Sequence, residues 1–358
     1  MSDGLDIDEL RQAIREVLAD RNKGVIDIPE DNGRALDRAL WLEMAGLGWL
    51  ALPVAEEFGG LGLGLEHLSV LYEELGRQLA SVPILSTMIA ATIIAQHGGE
   101  ALKARLLPAI AGGECLVGVA LPDDMPLPVQ ATDGSWSGKL EHVLFADVAD
   151  LLLLPVVGHN GVPRLAVIAS DAAGLTAKQR PLVDLTRSMG EVTLADVPTS
   201  SVELLDLDAS AWAALLDHAA LGLACDAIGG ADVLLDNTNE YLKIREQFGR
   251  PIGSFQALKA RMADWKVRIE AAKTLVRHTA AVIAGGADNA SAAASGAKAY
   301  ACDIYATFAG DAVQLHGGIG FTWEHPCHLF LKRAKLNQQL FGDGKFHRDR
   351  VASQAFEG

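Results

Sequence analysis

Apolar positions recur at three- and four-residue steps through Leu10–Leu18 and again through Leu68–Leu79, the period of helices with one buried face. Between them the run Leu52-Pro53-Val-Ala-Glu56-Glu57-Phe58-Gly59-Gly60-Leu-Gly62 stops that period at a Pro/Gly-rich turn. From Ile7 to about Ala111 the texture is helical. From Cys115 to about Leu205 it changes to short β-rich runs at Leu116–Leu121, His142–Phe145, Leu151–Val157, Leu165–Ile168 and Val192–Leu194. Asp-Gly, Asn-Gly and Pro-containing turns separate them, which predicts a small antiparallel β domain. After Asp208 helical periodicity returns in segments 210–246, 254–285, 288–315 and 326–353, a pattern that predicts a four-helix bundle. The expected fold class is therefore α+β, mainly α. Its parts are an N-terminal helical domain (1–112), a middle β domain (113–207) and a C-terminal bundle (208–358).

Composition narrows the function more than the fold. With 358 residues, half of them hydrophobic, the chain can build two or three cores. Sparse aromatics (6%) and a mean hydropathy of +0.20 suit closely packed helices. A formal charge of −16 argues against nucleic acid, which needs phosphate-neutralising basic patches. The N-terminus lacks the basic and apolar regions of a signal peptide, and the apolar runs are too short to predict a membrane span. Cys115, Cys225, Cys302 and Cys327 show no CxxC spacing, which fits reduced thiols in a cytoplasm. Steps of two and one in His325-Pro326-Cys327-His328 suit no ordinary zinc site, so no metal is expected. No βαβ unit with a Gly-x-Gly-x-x-Gly turn appears, against a Rossmann nicotinamide enzyme.

Three later stretches carry the chemistry. They are Tyr241-Leu-Lys-Ile-Arg245-Glu-Gln-Phe248-Gly249-Arg-Pro-Ile-Gly-Ser-Phe-Gln256, then Asp311-Ala-Val-Gln314-Leu-His-Gly317-Gly318-Ile-Gly320-Phe321, then Arg333 to Arg348. Together with the Leu52–Gly62 turn, they resemble the acyl-CoA dehydrogenase family. The resemblance covers nearly the whole chain, strongly after about Ala220 and weakly within the β region. It implies an FAD enzyme in which each flavin lies between the bundle and β domain of one subunit. The pyrophosphate and adenosine end touches a neighbour's bundle.

The resemblance assigns the neighbour-donated groups to residues present here. Arg245 stands at the position facing the pyrophosphate, and a guanidinium matches paired phosphate oxygens. Phe248 and Gln256 match the aromatic and amide positions that follow. Gln314, Gly317 and Gly318 match the turn that approaches the adenosine side, where glycine permits close contact. The bland alternatives are a surface ion pair of Arg245 with Glu240 or Glu246, and a helix that simply ends at a Gly turn.

The own-subunit groups are largely replaced. The family's Thr/Ser-Glu-Pro to Gly-Ser-Asp stretch corresponds to Val119-Ala-Leu-Pro-Asp-Asp-Met-Pro-Leu-Pro. The segment that bonds near the flavin N5 corresponds to His142-Val143-Leu144-Phe145, with leucine, which donates no hydrogen bond, in place of threonine. The α-proton-abstracting Glu of the family corresponds to Phe341, and a phenyl ring accepts no proton. A second family location for that base aligns with Ala219, beside Ala220 at the family's Arg. The nearest acids, Asp217 and Asp226, fall at helical spacing on other faces or turns, and the remaining candidate, Asp343, in its Asp-Gly context reads as a turn or N-cap.

This pattern implies a non-catalytic subunit that completes the FAD site of a catalytic acyl-CoA dehydrogenase-like partner. The family members it most resembles are the heteromeric (α2β2) bacterial enzymes acting on steroid side-chain CoA thioesters. The partner would hold the acyl-CoA and supply the base, and an electron-transfer flavoprotein would take the electrons. Two other readings stay open: a self-sufficient homo-oligomeric flavoenzyme with Asp217 or Asp343 as base, and a flavin-free structural paralogue.

Overall fold

The computed structural model describes residues 6–19, 36–122 and 126–357. The chain divides into two compact units. One contains residues 6–19, 65–80 and 217 onward; the other contains residues 36–64 and 81–216.

The first unit is helical. It holds α1 (Ile7–Ala19), α3 (Leu65–Arg77), most of α6 (Ala209–Ile244), α7 (Gln256–Ala284), α8 (Ala290–His316), α9 (Cys327–Gln339) and α10 (Gly344–Glu357). Three of the four bundle helices thus start and stop within two residues of the sequence prediction. The fourth predicted segment, 326–353, is two helices. Leu340 leaves helical geometry, Phe341 and Gly342 take φ of 55° and 99°, and the Asp343 side chain caps α10 by accepting from Phe346 N at 2.8 Å. Non-glycine residues rarely take a left-handed backbone, so this break is specified by the turn and not by frayed periodicity.

At α6 the backbone of α3 approaches so closely that only glycine fits. A Cβ on Gly229 would lie 2.0 Å from the Glu73 carbonyl oxygen, and one on Gly76 would lie 2.4 Å from that of Asp226. Charges reinforce this crossing. Buried Glu73 meets Arg11 of α1 and Arg277 of α7, each at 2.7 Å, and buried Glu74 meets Arg15 at 2.6 Å. Burial pushes the Glu73 carboxyl up, but bonds and charge from Arg277 and Arg11 prevail and hold it below its ordinary value.

Taken alone, α6 is long and apolar enough to cross a membrane, which the sequence reading did not anticipate. However, 89% of its most apolar stretch is buried, as expected of a core helix that is hydrophobic all round.

The second unit combines α2 (Arg38–Gly46), α4 (Ile84–His97) and α5 (Glu100–Ala111) with a sheet. Its strands are β1 (Val117–Val119), β2 (Val129–Gln130), β3 (Trp136–Leu144), β4 (Leu151–Val157), β5 (Pro163–Ala169), β6 (Leu175–Gln179), β7 (Met189–Val197) and β8 (Val202–Leu205). The main order is β6-β7-β3-β1-β4-β5-β8, with β2 beside β3 and β4. β4 reads as an unbroken apolar run because it is central and buried on both faces. Its Pro155 falls between the stretches paired with β1 (151–153) and β2 (157), where a missing N–H costs least. The prediction of an antiparallel sheet needs one correction: β1 and β2 both run parallel to β4.

Candidate functional site

The Arg245 motif begins where α6 ends. Arg245 N still closes the last turn onto the Tyr241 carbonyl (2.9 Å), and the Arg245 carbonyl accepts from Ile252 N (2.7 Å). Between these bonds runs a small hairpin of β9 (Glu246–Gln247) and β10 (Arg250–Pro251). Its two-residue loop is Phe248-Gly249, with φ of 54° and 75°, the paired left-handed geometry of a tight hairpin. Glycine tolerates that conformation, but phenylalanine does so at a cost. The phenyl ring recovers little by packing, since it is 92% exposed and makes one edge contact with Phe255 at 6.2 Å.

Arg245 is exposed, and it has no ion pair or side-chain hydrogen bond among the described residues. The suspected pairing with Glu240 is not formed, because Glu240 binds Lys243 instead (2.5 Å). Arg250 is engaged over the Phe255 ring at 4.1 Å. Gln256 is the first residue of α7 and is exposed.

The second motif lies at the end of α8, against the same end of α6. Tyr241 stacks on His316 with centroids 4.5 Å apart, and its hydroxyl donates to the His316 carbonyl at 3.1 Å. This joins two motifs some 70 residues apart in sequence. Gln314 is exposed and lines a depression of about 450 Å³ between α7 and α8, with Arg261, Trp265 and Arg268. Gly317 ends α8 at φ 65°, ψ −143°, a conformation essentially reserved for glycine. A Cβ on Gly317 or Gly318 would meet nothing within 4 Å, so these backbones are open to an incoming group. The helix does end at a Gly turn, but one left bare on the outside.

A different logic governs the turn at Phe341. Buried Lys298 donates to the carbonyls of Gln338 (2.9 Å) and Gly342, and burial pulls its pKa below the ordinary value. His347 Nε2 lies 3.1 Å from the Phe341 carbonyl, and its Nδ1 lies 3.1 Å from Ser295 Oγ. Burial pulls His347 down to about 4, so it is neutral at pH 7. Arg350 bonds Ser295 Oγ (2.9 Å) and pairs with buried Asp217 (3.0 Å), which also accepts from Ser291.

Both fallback acids are therefore committed. Asp217 neutralises Arg350, and Asp343 caps α10, where the Phe346 N–H holds its carboxyl below the usual range. Asp226 is engaged by Arg333 (2.8 Å) and Asn337 (2.6 Å). Ala219 and Ala220 are fully buried and apolar.

In the His325-Pro326-Cys327-His328 run, Cys327 is buried with its thiol pushed up to about 12, while His325 lies against His316 (4.3 Å). In the sheet unit, Leu144 ends β3 with 2% exposure and Phe145 follows at φ 55°. Asp123, Asp124 and Met125 of the other replaced stretch lie outside the described residues.

Sequence reasoning missed Tyr241, His316, Lys298, His347 and Arg350. Tyr241 was legible one helical turn before Arg245 and so on its face. The other four act through folding contacts that no spacing rule reveals.

Comparison with known proteins fits this geometry. The N-terminal domain of acyl-CoA dehydrogenases matches residues 6–114, and the C-terminal domain matches residues 210–356. The acyl-CoA dehydrogenase IpdE2 of Mycolicibacterium smegmatis is 33% identical over 327 residues, 89% of each chain. A solved variant of the Tcur3481–Tcur3483 steroid ACAD superposes with a TM-score of 0.88 at 32% identity, covering 98% of both chains. The ChsE4–ChsE5 complex from Mycobacterium tuberculosis shares the fold, with a TM-score of 0.88 at 24% identity over 98% of this chain and 97% of that one. The chain belongs to the acyl-CoA dehydrogenase family.

Proposed function

We propose that this chain is the cofactor-completing subunit of a heteromeric acyl-CoA dehydrogenase, sharing one FAD with a catalytic partner that holds the acyl-CoA. The observation that carries the proposal is the exposed Arg245 guanidinium, unpaired among the described residues, at the same bundle end as Gln314 and the open Gly317–Gly318 turn. A bidentate cation beside bare backbone fits a pyrophosphate and the start of an adenosine. Phe248 and the Gln256 amide lie along the same motif as further contacts. When bound, FAD supplies the hydride acceptor for α,β-dehydrogenation of the thioester.

This chain's own residues would bind and orient that cofactor. They would not move the substrate proton, because Phe341 stands where the family keeps its base. Asp217 and Asp343 are spent on Arg350 and on a helix cap, which disfavours a self-sufficient enzyme. Relatives named for two components, Tcur3481–Tcur3483 and ChsE4–ChsE5, support a paired assembly. The former, a steroid ACAD, favours a steroid side-chain CoA thioester as substrate. An electron-transfer flavoprotein would reoxidise the complex in the cytoplasm.

The test is an FAD titration of the pure chain, alone and then with a co-expressed dehydrogenase partner. Weak or absent binding alone and tight binding in the complex are expected. A yellow, soluble homo-oligomer that oxidises an acyl-CoA unaided would overturn the proposal.

A further inference from the structure

Three aromatic rings meet where α6 and α8 end. Tyr241 and His316 stack at 4.5 Å and 26°; His325 lies 4.3 Å from His316 and 6.3 Å from Tyr241. His316 is 3% exposed, and its Nδ1 lies 2.7 Å from the Ala312 carbonyl. Only a protonated Nδ1 can bond a carbonyl, so in the neutral ring Nε2 carries a bare lone pair. That atom is buried with no hydrogen-bond partner among the described residues. His325 Nδ1 accepts from Cys327 N at 3.2 Å, which assigns its proton to Nε2.

A buried nitrogen without a partner is costly and rare, and this one lies beside the groups assigned to the cofactor. Arg245 N bonds the Tyr241 carbonyl, and Gly317 directly follows His316. The following turn packs tightly against the end of α8: a Cβ on Gly320 would lie 2.8 Å from His316 Cβ and 2.9 Å from the Val313 carbonyl oxygen. The stack thus ties the last turn of α6 to the bare backbone after α8.

We propose that Tyr241, His316 and His325 are positioning residues that keep Arg245 and the Gly317–Gly318 turn in register for one dinucleotide, and that only the uncharged stack does so. The inference rests on reading this bundle end as the cofactor site. It adds a property that reading lacks, namely acid-triggered release of the cofactor.

The groups acting on His325 oppose a proton there, whereas the Ala312 carbonyl favours one on His316. Tyr241 packs on the stack from α6, and His316 and His328 act on His325 from α8 and α9, with Lys332 beyond His328. Neither His316 nor His325 pairs with a carboxylate among the described residues. Burial, then His316 and His328, pull His325 down to about 4, and burial also lowers His316 against the bond to Ala312. The closed stack therefore binds fewer protons than an opened one. Its hold is complete above the ordinary imidazole value of about 6.5 and weakens as pH falls from there towards about 4.

The test measures FAD release from the co-purified complex between pH 7.5 and 4.5. It compares the wild type with His325→Phe, Tyr241→Phe, Tyr241→Ala and Arg245→Ala. Wild-type release is expected to accelerate by about tenfold per pH unit below about pH 6. His325→Phe keeps a ring but cannot be charged, so its profile should be markedly flatter. His325→Gln, which keeps an acceptor for Cys327 N, should be flatter too and serves if the Phe variant does not fold. At pH 7.5, Tyr241→Ala should release FAD roughly tenfold faster, and Tyr241→Phe, which loses one neutral hydrogen bond, by a smaller factor.

His218 and His347 are also held down to about 4 and load the general acid response. The difference between the wild-type and His325 profiles isolates the stack from that background. An acid response unchanged in the His325 variants would overturn the inference. Unchanged FAD release in Arg245→Ala would instead remove the cofactor reading beneath it, whatever the stack variants do.

Discussion

At the junction of α6 and α8, Arg245 and Gln314 are exposed, Phe248 holds a left-handed backbone with its ring in solvent, and Gly317–Gly318 face open space. At the α9–α10 turn, in the same helical unit, the polar groups are spent internally: Lys298 and His347 on main-chain carbonyls, Asp217 on Arg350, Asp343 on a cap. Folding alone explains the second region, because each charge there satisfies a neighbour. It does not explain the first, where strain and a cation unpaired among the described residues give nothing back to this chain. The difference separates groups that this chain uses on itself from groups it leaves open, and the proposed cofactor donation draws on the second set.

The comparison breaks most severely if Asp217 turns out to be chemical. Asp217→Ala leaves Arg350 without its carboxylate and should destabilise by about 2–4 kcal/mol; the Arg350 side chain's 20% exposure keeps this near the low end for buried pairs. Denaturant melts check this, and complexes that still fold should turn over normally. Collapse of turnover without loss of stability would make Asp217 a base.

Next in size is Arg245. Charge-assisted hydrogen bonds are worth about 1.5–3 kcal/mol, so Arg245→Ala in the complex should weaken FAD affinity by roughly ten- to a hundredfold. Arg245→Lys should restore only part, since an ammonium lacks the planar fork. Equilibrium FAD binding at matched salt measures both. An Ala variant with wild-type affinity would reduce the residue to a solvated surface charge.

Asp343→Ala should cost about 1 kcal/mol through loss of the α10 cap, and Asp343→Asn should recover most of it. Because the folded carboxyl is held below its ordinary value, the aspartate's own contribution is present above about pH 4 and fades as pH falls through the lowered value. Thermal melts across that range would show it.

The smallest effect is expected at Phe341. Phe341→Ala should shift stability by about 0.5 kcal/mol and leave turnover intact. Phe341→Glu should create no second active site, because a base without a positioned hydride acceptor does nothing. Two active sites per pair of chains, counted by active-site titration, would show an intact flavin cradle in this subunit.

Much of the fold was legible because burial writes a period into the sequence. The spans of α6, α7 and α8 and the whole of β4 were readable from apolar spacing alone. β6 was not, because an edge strand with the sequence Leu-Thr-Ala-Lys-Gln is mostly exposed and carries no apolar rhythm. The parallel pairing of β1 with β4 is a matter of register and topology, which alternation does not encode. The break at residues 340–343 was hinted at by Gly342-Asp343-Gly344 but masked by helical spacing on both sides.

In the site, motif order gave the residues, yet only folding showed that the Arg245 and Gln314 motifs share one bundle end through Tyr241 and His316. The Phe248-Gly249 hairpin also escaped notice. Its loop lacks the Asn or Asp that normally announces paired left-handed residues.

The most direct measurement is bound FAD per pair of chains in the co-purified complex, read from flavin absorbance against protein concentration. The account expects one FAD per heterodimer, lost together with activity in Arg245→Ala. Two FAD per heterodimer, or one retained unchanged without Arg245, would contradict it.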